Sequence, residues 1–366
     1  MPLSDAGQLL LVGVPGAELD SQTAEVFRKL QPGGFILFGR NIKTPQQLRK
    51  LIDDLRDLSQ VEPIITIDQE GGRVSRLRLI GNEPPNAVQL RDRNDLDLIR
   101  KHGDITGRLL RLFGFNLDLC PVLDISFDDE ADNSLKGRCY GRTAQEVVEK
   151  AGAFNEAIRA TGVLSCGKHF PGYTCASLDP HHELPRIERT RQELEENELY
   201  VFRKFAKTVD SMMIGHISIS GLEDGGFPGS LSPQIINGLL REEMGFDGLV
   251  MTDDLDMGAI LNHYGFDETM RQGIVAGNDM LMLCHRVELA TQAVAALEGM
   301  DSAALAPALE RMHKFKSKLV APDAFSEAAF QAVDQEIWDL RVAVLGEELA
   351  ASRSPEDGKR SPVELY

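Results

Sequence analysis

Eight short apolar runs, separated by longer segments with helical spacing, constrain the fold of this chain more than any other feature. They fall at residues 9–14, 34–38, 64–68, 116–123, 163–169, 212–217, 248–253 and 279–284, and are rich in Val, Ile, Leu and Met. The runs do not alternate apolar with polar residues, as a strand with one wet face would. Bounded by Gly or polar residues, they suit strands buried on both faces of a parallel sheet.

The intervening segments carry helix start signals. Thr44 before Pro45 pairs a good N-cap with a first-turn proline and predicts a helix to Leu58. Thr143-Ala144-Gln145-Glu146 has capping-box spacing and predicts a helix to Thr161. Ser232-Pro233 predicts another, running to Met244 and stopped by Gly245. Eight such units point to an α/β fold, a (β/α)8 TIM barrel in a single catalytic domain, with an open α/β sheet as the alternative. Helical segments after Asp301 and after Ala329 extend past the eighth unit and are expected to pack as extra C-terminal helices on the barrel's outside. Residues 1–350 read as the domain and residues 351–366, rich in Ser, Pro and charge, as a disordered tail.

Charge narrows the function classes. Among 366 residues, 57 are acidic and 39 basic, a formal net charge of −18, and no basic run stands out. That argues against nucleic-acid or anionic-membrane partners. No stretch approaches the roughly 20 apolar residues of a spanning helix, and the N-terminus lacks a signal-peptide pattern. Cys120, Cys139, Cys166, Cys175 and Cys284 are scattered, odd in number and without CxxC spacing. They fit a reduced, cytoplasmic protein whose thiols are mostly small core residues, with no metal and no organic cofactor expected. The expected partner is a small molecule alone; a monomer is favoured.

The apolar runs close repeatedly on polar groups. Strand three ends in Asp68, strand five in Lys168-His169, strand six in His216 and strand seven in Asp253-Asp254. Barrel enzymes build their sites at these C-terminal strand ends, and charged groups there are costly unless they share a cleft. The densest stretch is Lys168-His169-Phe170-Pro171-Gly172, followed seven residues later by Asp179-Pro180-His181.

At these residues the chain resembles the single-domain β-N-acetylhexosaminidases of glycoside hydrolase family 3. The blocks that carry the resemblance run in order. They are Pro32 to Asn41 (PGGFILFGRN), Ile67 to Arg76 (IDQEGGRVSR), Lys168 to His181, Ser230-Leu231-Ser232 leading into Gly245 to Leu255, and Ala276 to Met280. The resemblance implies a barrel fold and retaining hydrolysis of a terminal β-linked N-acetylglucosamine through a covalent glycosyl-enzyme. It matches Asp253 to the nucleophile, with Asp254 as rival, expected to point to the strand's other side and make a structural hydrogen bond. It matches His181 to the acid/base, with Asp179 as its partner on a loop. Asp68, Arg76, Arg138, Lys168 and His169 match residues that bind sugar hydroxyls, and Glu70 and Arg73 are expected to brace the strand-three loop. For Arg138 a surface salt bridge is the alternative.

Two departures bear on the loop. Tyr173-Thr174 stands where the family commonly has His-Gly, and Pro180 where a Ser is usual. The implied role is muropeptide trimming in peptidoglycan recycling. Alternatives are a phosphorylase or β-glucosidase of the same family, or an inactive sugar-binding barrel.

Overall fold

The eight apolar runs become eight parallel strands. The computed structural model describes residues 5–129, 134–173, 184–223 and 226–354. Its barrel strands are β1 (Leu10–Gly13), β2 (Gly34–Leu37), β3 (Ile64–Ile67), β4 (Leu117–Asp118), β5 (Leu164–Phe170), β6 (Ser211–Ile214), β7 (Leu249–Asp254) and β8 (Met280–Leu283). Each pairs with its sequence neighbours, and β8 closes onto β1 with Leu11 opposite Met282. Closure removes the open-sheet alternative, and the fold is a (β/α)8 barrel.

Both faces of these strands are dry, which is why the runs do not alternate. Leu10 and Val12 pack outward against the helices, whereas Leu11, Ile36, Ile64, Leu117 and Leu164 fill the interior. Methionines complete the inner layer at Met213, Met251, Met280 and Met282, unbranched side chains that fill an irregular space.

The inner cluster also contains Met312 and Phe315. They belong to the helix Ser302–Lys316, which packs against the segment leading into β1 and so plugs the N-terminal mouth of the barrel. This helix was expected on the barrel's outside; the apolar strand starts at that mouth need a cover, and it supplies one. The helix Glu327–Leu345 does pack outside, on Leu96–Phe113.

Local signals are met with two differences. The Thr44 and Thr143 hydroxyls accept the backbone N–H of Gln47 and Glu146. The helix after Pro233 is wound as a π-helix, Gln234–Glu243, with the Met244 N–H donating to the Leu239 carbonyl five residues back. Strand four, expected over residues 116–123, is regular only at Leu117–Asp118, because Pro121 has no N–H for the ladder. Residues 351–354, expected in a disordered tail, are tied down: Arg341 donates to the Ser352 carbonyl, and the Ser354 hydroxyl to Glu83. The remainder of that tail, residues 355–366, lies outside the described residues. No described helix is long and apolar enough to cross a membrane.

Candidate active site

A pocket opens at the C-terminal ends of the strands. Asp68, Arg76, Arg138, Lys168, His169 and Asp253 all line it, joined by Phe38, Tyr173, Asp254, Met257 and His285. Residues far apart in sequence are thus gathered at one place. Asp179 and His181 lie outside the described residues, as do Thr174, Cys175 and Pro180.

Bulges aim adjacent side chains into this pocket. Successive residues of a regular strand point to opposite faces. In β5, Gly167 pairs with Met212 but Phe170 with Ile214, three residues advancing against two. In β7, Met251 pairs with Met280 but Asp254 with Met282, the same slip. An extra residue in one strand re-aims its side chains. Lys168 and His169 consequently both reach the pocket, and so do Asp253 and Asp254. The expectation that Asp254 would face the other side of its strand is corrected by this bulge.

One wall is a chain of ion pairs. Lys168 Nζ lies 2.7 Å from Asp68 Oδ1 and 2.6 Å from Glu70 Oε1. Glu70 takes a two-pronged hydrogen bond from Arg138, both distances 2.7 Å. Arg76 Nη2 stands 3.6 Å from Asp68 Oδ2. Burial would raise the Glu70 carboxyl, but Arg138 and Lys168 outweigh it and hold it well below the usual carboxylate range. Burial would likewise lower Lys168, yet Asp68 and Glu70 keep it firmly charged. Arg138 therefore forms an ion pair, though a buried one that lines the pocket and not the surface salt bridge that its alternative reading expects. Arg73 donates to the carbonyls of Ser134 and Lys136, bracing the strand-three loop. That loop turns through Gly71 at φ 112°, where a Cβ would meet the Pro85 carbonyl oxygen at 2.3 Å.

Beside these ion pairs, Asp124 holds the end of β5. Its Oδ2 lies 2.8 Å from His169 Nδ1, and its Oδ1 accepts the Tyr173 N–H. The Tyr173 ring packs edge-on against His169 with centroids 4.8 Å apart, and its hydroxyl meets Ser134 Oγ. The side chain that departs from the family pattern thus braces a sugar-binding candidate.

Asp253 sits at the tip of β7, its Oδ1 accepting the N–H of Asp254 at 2.8 Å. Asp254 Oδ1 accepts the N–H groups of Asp256 and Cys284, the structural hydrogen bonds expected of it. Burial, with Asp256 adding to it, pushes the Asp254 carboxyl up to about 8. His216, expected at the strand-six tip, lies just beyond β6 and spans from Ser230 Oγ to the Asp254 carbonyl. Both carboxylates line the pocket and accept backbone N–H groups, Asp254 from Asp256 and Cys284 and Asp253 from Asp254.

The profile of the Glycosyl hydrolase family 3 N terminal domain matches residues 4–314. This chain belongs to glycosyl hydrolase family 3. A relative from Vibrio cholerae, named beta-hexosaminidase, is 34% identical over 286 residues, covering 77% of this chain and 84% of its own. Among solved structures, a glycoside hydrolase family 3 β-N-acetylglucosaminidase from Paenibacillus superposes with TM-score 0.86 at 31% identity, over 93% of this chain and 68% of that one. NagZ from Neisseria gonorrhoeae, solved in complex with N-trifluoroacetyl-D-glucosamine, superposes with TM-score 0.78 at 26% identity, over 94% and 98% of the two chains. The protein is a glycoside hydrolase.

The sequence reading of this family 3 chain missed Asp124, although a signal was present: Val122-Leu123 is an apolar run closing on a carboxylate, as at Asp68. It also missed His285. Asp254, Cys284 and His285 bring oxygen, sulfur and nitrogen atoms within 4.8 Å of one another, a set able in principle to hold a metal. The geometry argues for a hydrogen-bond network. Arg40 Nη1 lies 3.1 Å from His285 Nδ1, and a guanidinium can only donate. The neutral ring then carries its proton on Nε2, the atom 3.4 Å from Asp254 Oδ2, where a metal would need a lone pair.

Proposed function

We propose that this protein is an exo-acting, retaining β-N-acetylglucosaminidase that uses Asp253 as nucleophile and the His181-Asp179 pair as acid/base. The observation that carries this reading is the convergence of Asp253, Asp68, Lys168, His169, Arg76 and Arg138 on one pocket. The relatives named beta-hexosaminidase support it.

The roles follow from charge and position. Ionised or charge-paired groups at Asp68, Lys168, Arg76 and Arg138 hydrogen-bond sugar hydroxyls more strongly than neutral ones and orient the ring. His169, held through Nδ1 by Asp124, presents its other nitrogen to the same sugar. In the first step His181, protonated, gives its proton to the glycosidic oxygen while Asp253 attacks the anomeric carbon, and the aglycone leaves as an alcohol. In the second, neutral His181 takes a proton from water, which displaces Asp253 and releases the sugar. Asp179 stabilises the imidazolium. A histidine titrates near neutrality, so one group serves both steps without adding a further negative charge beside Asp253.

The same reading places residues 1–350 in one catalytic unit working without an organic cofactor. It assigns the protein to the cytoplasm, trimming N-acetylglucosamine from muropeptides. The four described cysteines support a reducing compartment, since all are buried free thiols.

Two measurements test the reaction. Purified protein is incubated with aryl N-acetyl-β-glucosaminide and aryl β-glucoside; hydrolysis of the glucoside alone overturns the sugar assignment. A fluorinated N-acetylglucosamine analogue then traps the intermediate, and its label is expected on the peptide containing Asp253. Sugar 1-phosphate formed in phosphate buffer would identify phosphate, rather than water, as the acceptor.

A further inference from the structure

Arg76, which lines the pocket, opens the short 3-10 turn Arg76–Leu79 in the loop after β3. Its Nη2 stands 3.6 Å from Asp68 Oδ2, and its guanidinium carbon 5.8 Å from the Phe38 ring centre. How far a long side chain reaches into a pocket depends on where its backbone is held. The inner half of this turn is anchored in the core: Leu77 is buried, and its N–H donates to Gln69 Oε1 at 3.2 Å. The outer half has Leu79, 49% exposed, in place of such an anchor. Polar contacts from the far end of the chain hold it instead.

Those contacts converge on Glu83, a buried carboxylate. Arg78 Nη1 donates to its Oε2 at 2.9 Å, and Arg341 Nη1, from the helix Glu327–Leu345, to its Oε1 at 3.1 Å. The Ser354 hydroxyl and N–H donate to the same Oε1 at 2.7 and 3.0 Å. Burial would raise the Glu83 carboxyl, but hydrogen bonds from Ser354 and Arg78 and the Arg341 charge bring it below its ordinary value. Arg353 reaches the turn itself, its guanidinium donating to the carbonyls of Arg78 and Gly81 at 3.1 and 3.2 Å. The path of this segment is fixed in turn by Arg341, which donates to the carbonyls of Ala350 and Ser352. On the same helix, Asp334 Oδ1 accepts the Asn82 N–H at 2.6 Å. Asp334, Arg341 and residues 352–354 all lie beyond residue 314, where the family match ends.

We propose that residues 352–354 form a positioning strap that holds the backbone carrying Arg76 and so sets how tightly the pocket binds its sugar. The strap acts through Glu83 and the Arg78 and Gly81 carbonyls. This rests on the reading of Arg76 as a sugar-binding residue. A guanidinium meets hydroxyls through directed N–H donors, and such bonds weaken as distance and angle leave their narrow optimum. None of the described residues that line the pocket belongs to the strap, so its effect falls on binding and not on the bond-breaking step.

The test reads the inhibition constant of free N-acetylglucosamine against hydrolysis of nitrophenyl N-acetyl-β-glucosaminide by the full-length protein. An inhibition constant does not depend on how much of a preparation is folded. Arg76→Ala is expected to raise it about tenfold, the loss of a hydrogen bond from a charged group. Arg353→Ala combined with Ser354→Ala is expected to raise it about threefold, with kcat near the parent value. Arg353→Lys with Ser354 retained, which keeps a donor, should stay closer to the parent. On the Arg76→Ala background the combined change should add nothing, because the group that it positions is gone. An unchanged constant in the combined variant, or an equal rise on both backgrounds, overturns the strap and leaves Arg76 in its role. A constant unmoved by Arg76→Ala removes that role and the strap with it. A parent that does not hydrolyse the glycoside overturns the proposed reaction, on which both depend.

Discussion

Glu70 and Arg138 meet in a two-pronged ion pair, both distances 2.7 Å, that fixes the loop after β3 against the loop after β4. The pair is buried, and Lys168 adds a third charge 2.6 Å from the same carboxylate. Removing one member leaves the others charged and desolvated, and such a loss costs about 3–5 kcal/mol. Glu70→Ala is expected to lower the unfolding free energy by that order in a urea titration. Glu70→Gln, which keeps the shape, is expected to lose less.

The roles proposed for Asp253 and His181 predict different signatures. Asp253→Asn removes the nucleophile and should lower kcat by roughly 10^4-fold or more on every β-N-acetylglucosaminide. His181→Ala should cost roughly 10^2 to 10^4-fold on a poor leaving group such as a sugar. The loss should shrink in the first step when the leaving group is an activated phenol that departs without a proton. Steady-state rates on a sugar and a nitrophenyl substrate separate the two variants; equal losses on both for His181→Ala would remove it from the acid role.

Lys316 lies on the helix that plugs the barrel, its Nζ donating to Gln8 Oε1 at 2.8 Å. Burial draws its pKa down from 10.5 to about 8, and Glu62 opposes this only in part. Here the folded state binds the proton less tightly than the unfolded chain. Its cost to stability is full below about pH 8 and fades as pH rises toward the unfolded value. Lys316→Met should therefore stabilise the protein at pH 7 by on the order of a few kcal/mol. That gain should shrink between pH 8 and 10, read as the difference in melting temperature between variant and parent.

Phe315 closes the inner cluster from the same helix and is buried. Phe315→Ala should cost about 3–5 kcal/mol, the range for a large aromatic removed from a packed core. Far from the pocket, it should lower the denaturation midpoint while leaving the KM of the remaining folded enzyme near the parent value.

Much of the architecture was legible in residue order. Eight unalternating apolar runs demanded strands dry on both faces, and helical segments between them made a parallel barrel the economical solution. Caps at Thr44 and Thr143 were readable because they depend on three or four neighbouring residues. Polar residues ending apolar runs marked the catalytic face at Asp68, Lys168-His169 and Asp253, and the same pattern at Asp124 was there to be read. The winding of the helix after Pro233 had no local signature. Nor did the turn of the helix Ser302–Lys316 across the barrel mouth, since that is set by the apolar space left by strand starts distributed over the whole chain.

The sequence by itself determined which groups are available, a carboxylate at 253, a lysine and histidine at 168 and 169, and the spacing that puts them at strand ends. Only the tertiary structure decided which way they face. Strand periodicity would send Lys168 and His169, or Asp253 and Asp254, to opposite sides, and the bulges that bring each pair into one pocket exist only in register against β6 and β8. Register is a relation between strands held by backbone hydrogen bonds, so no single strand carries it in its own residues.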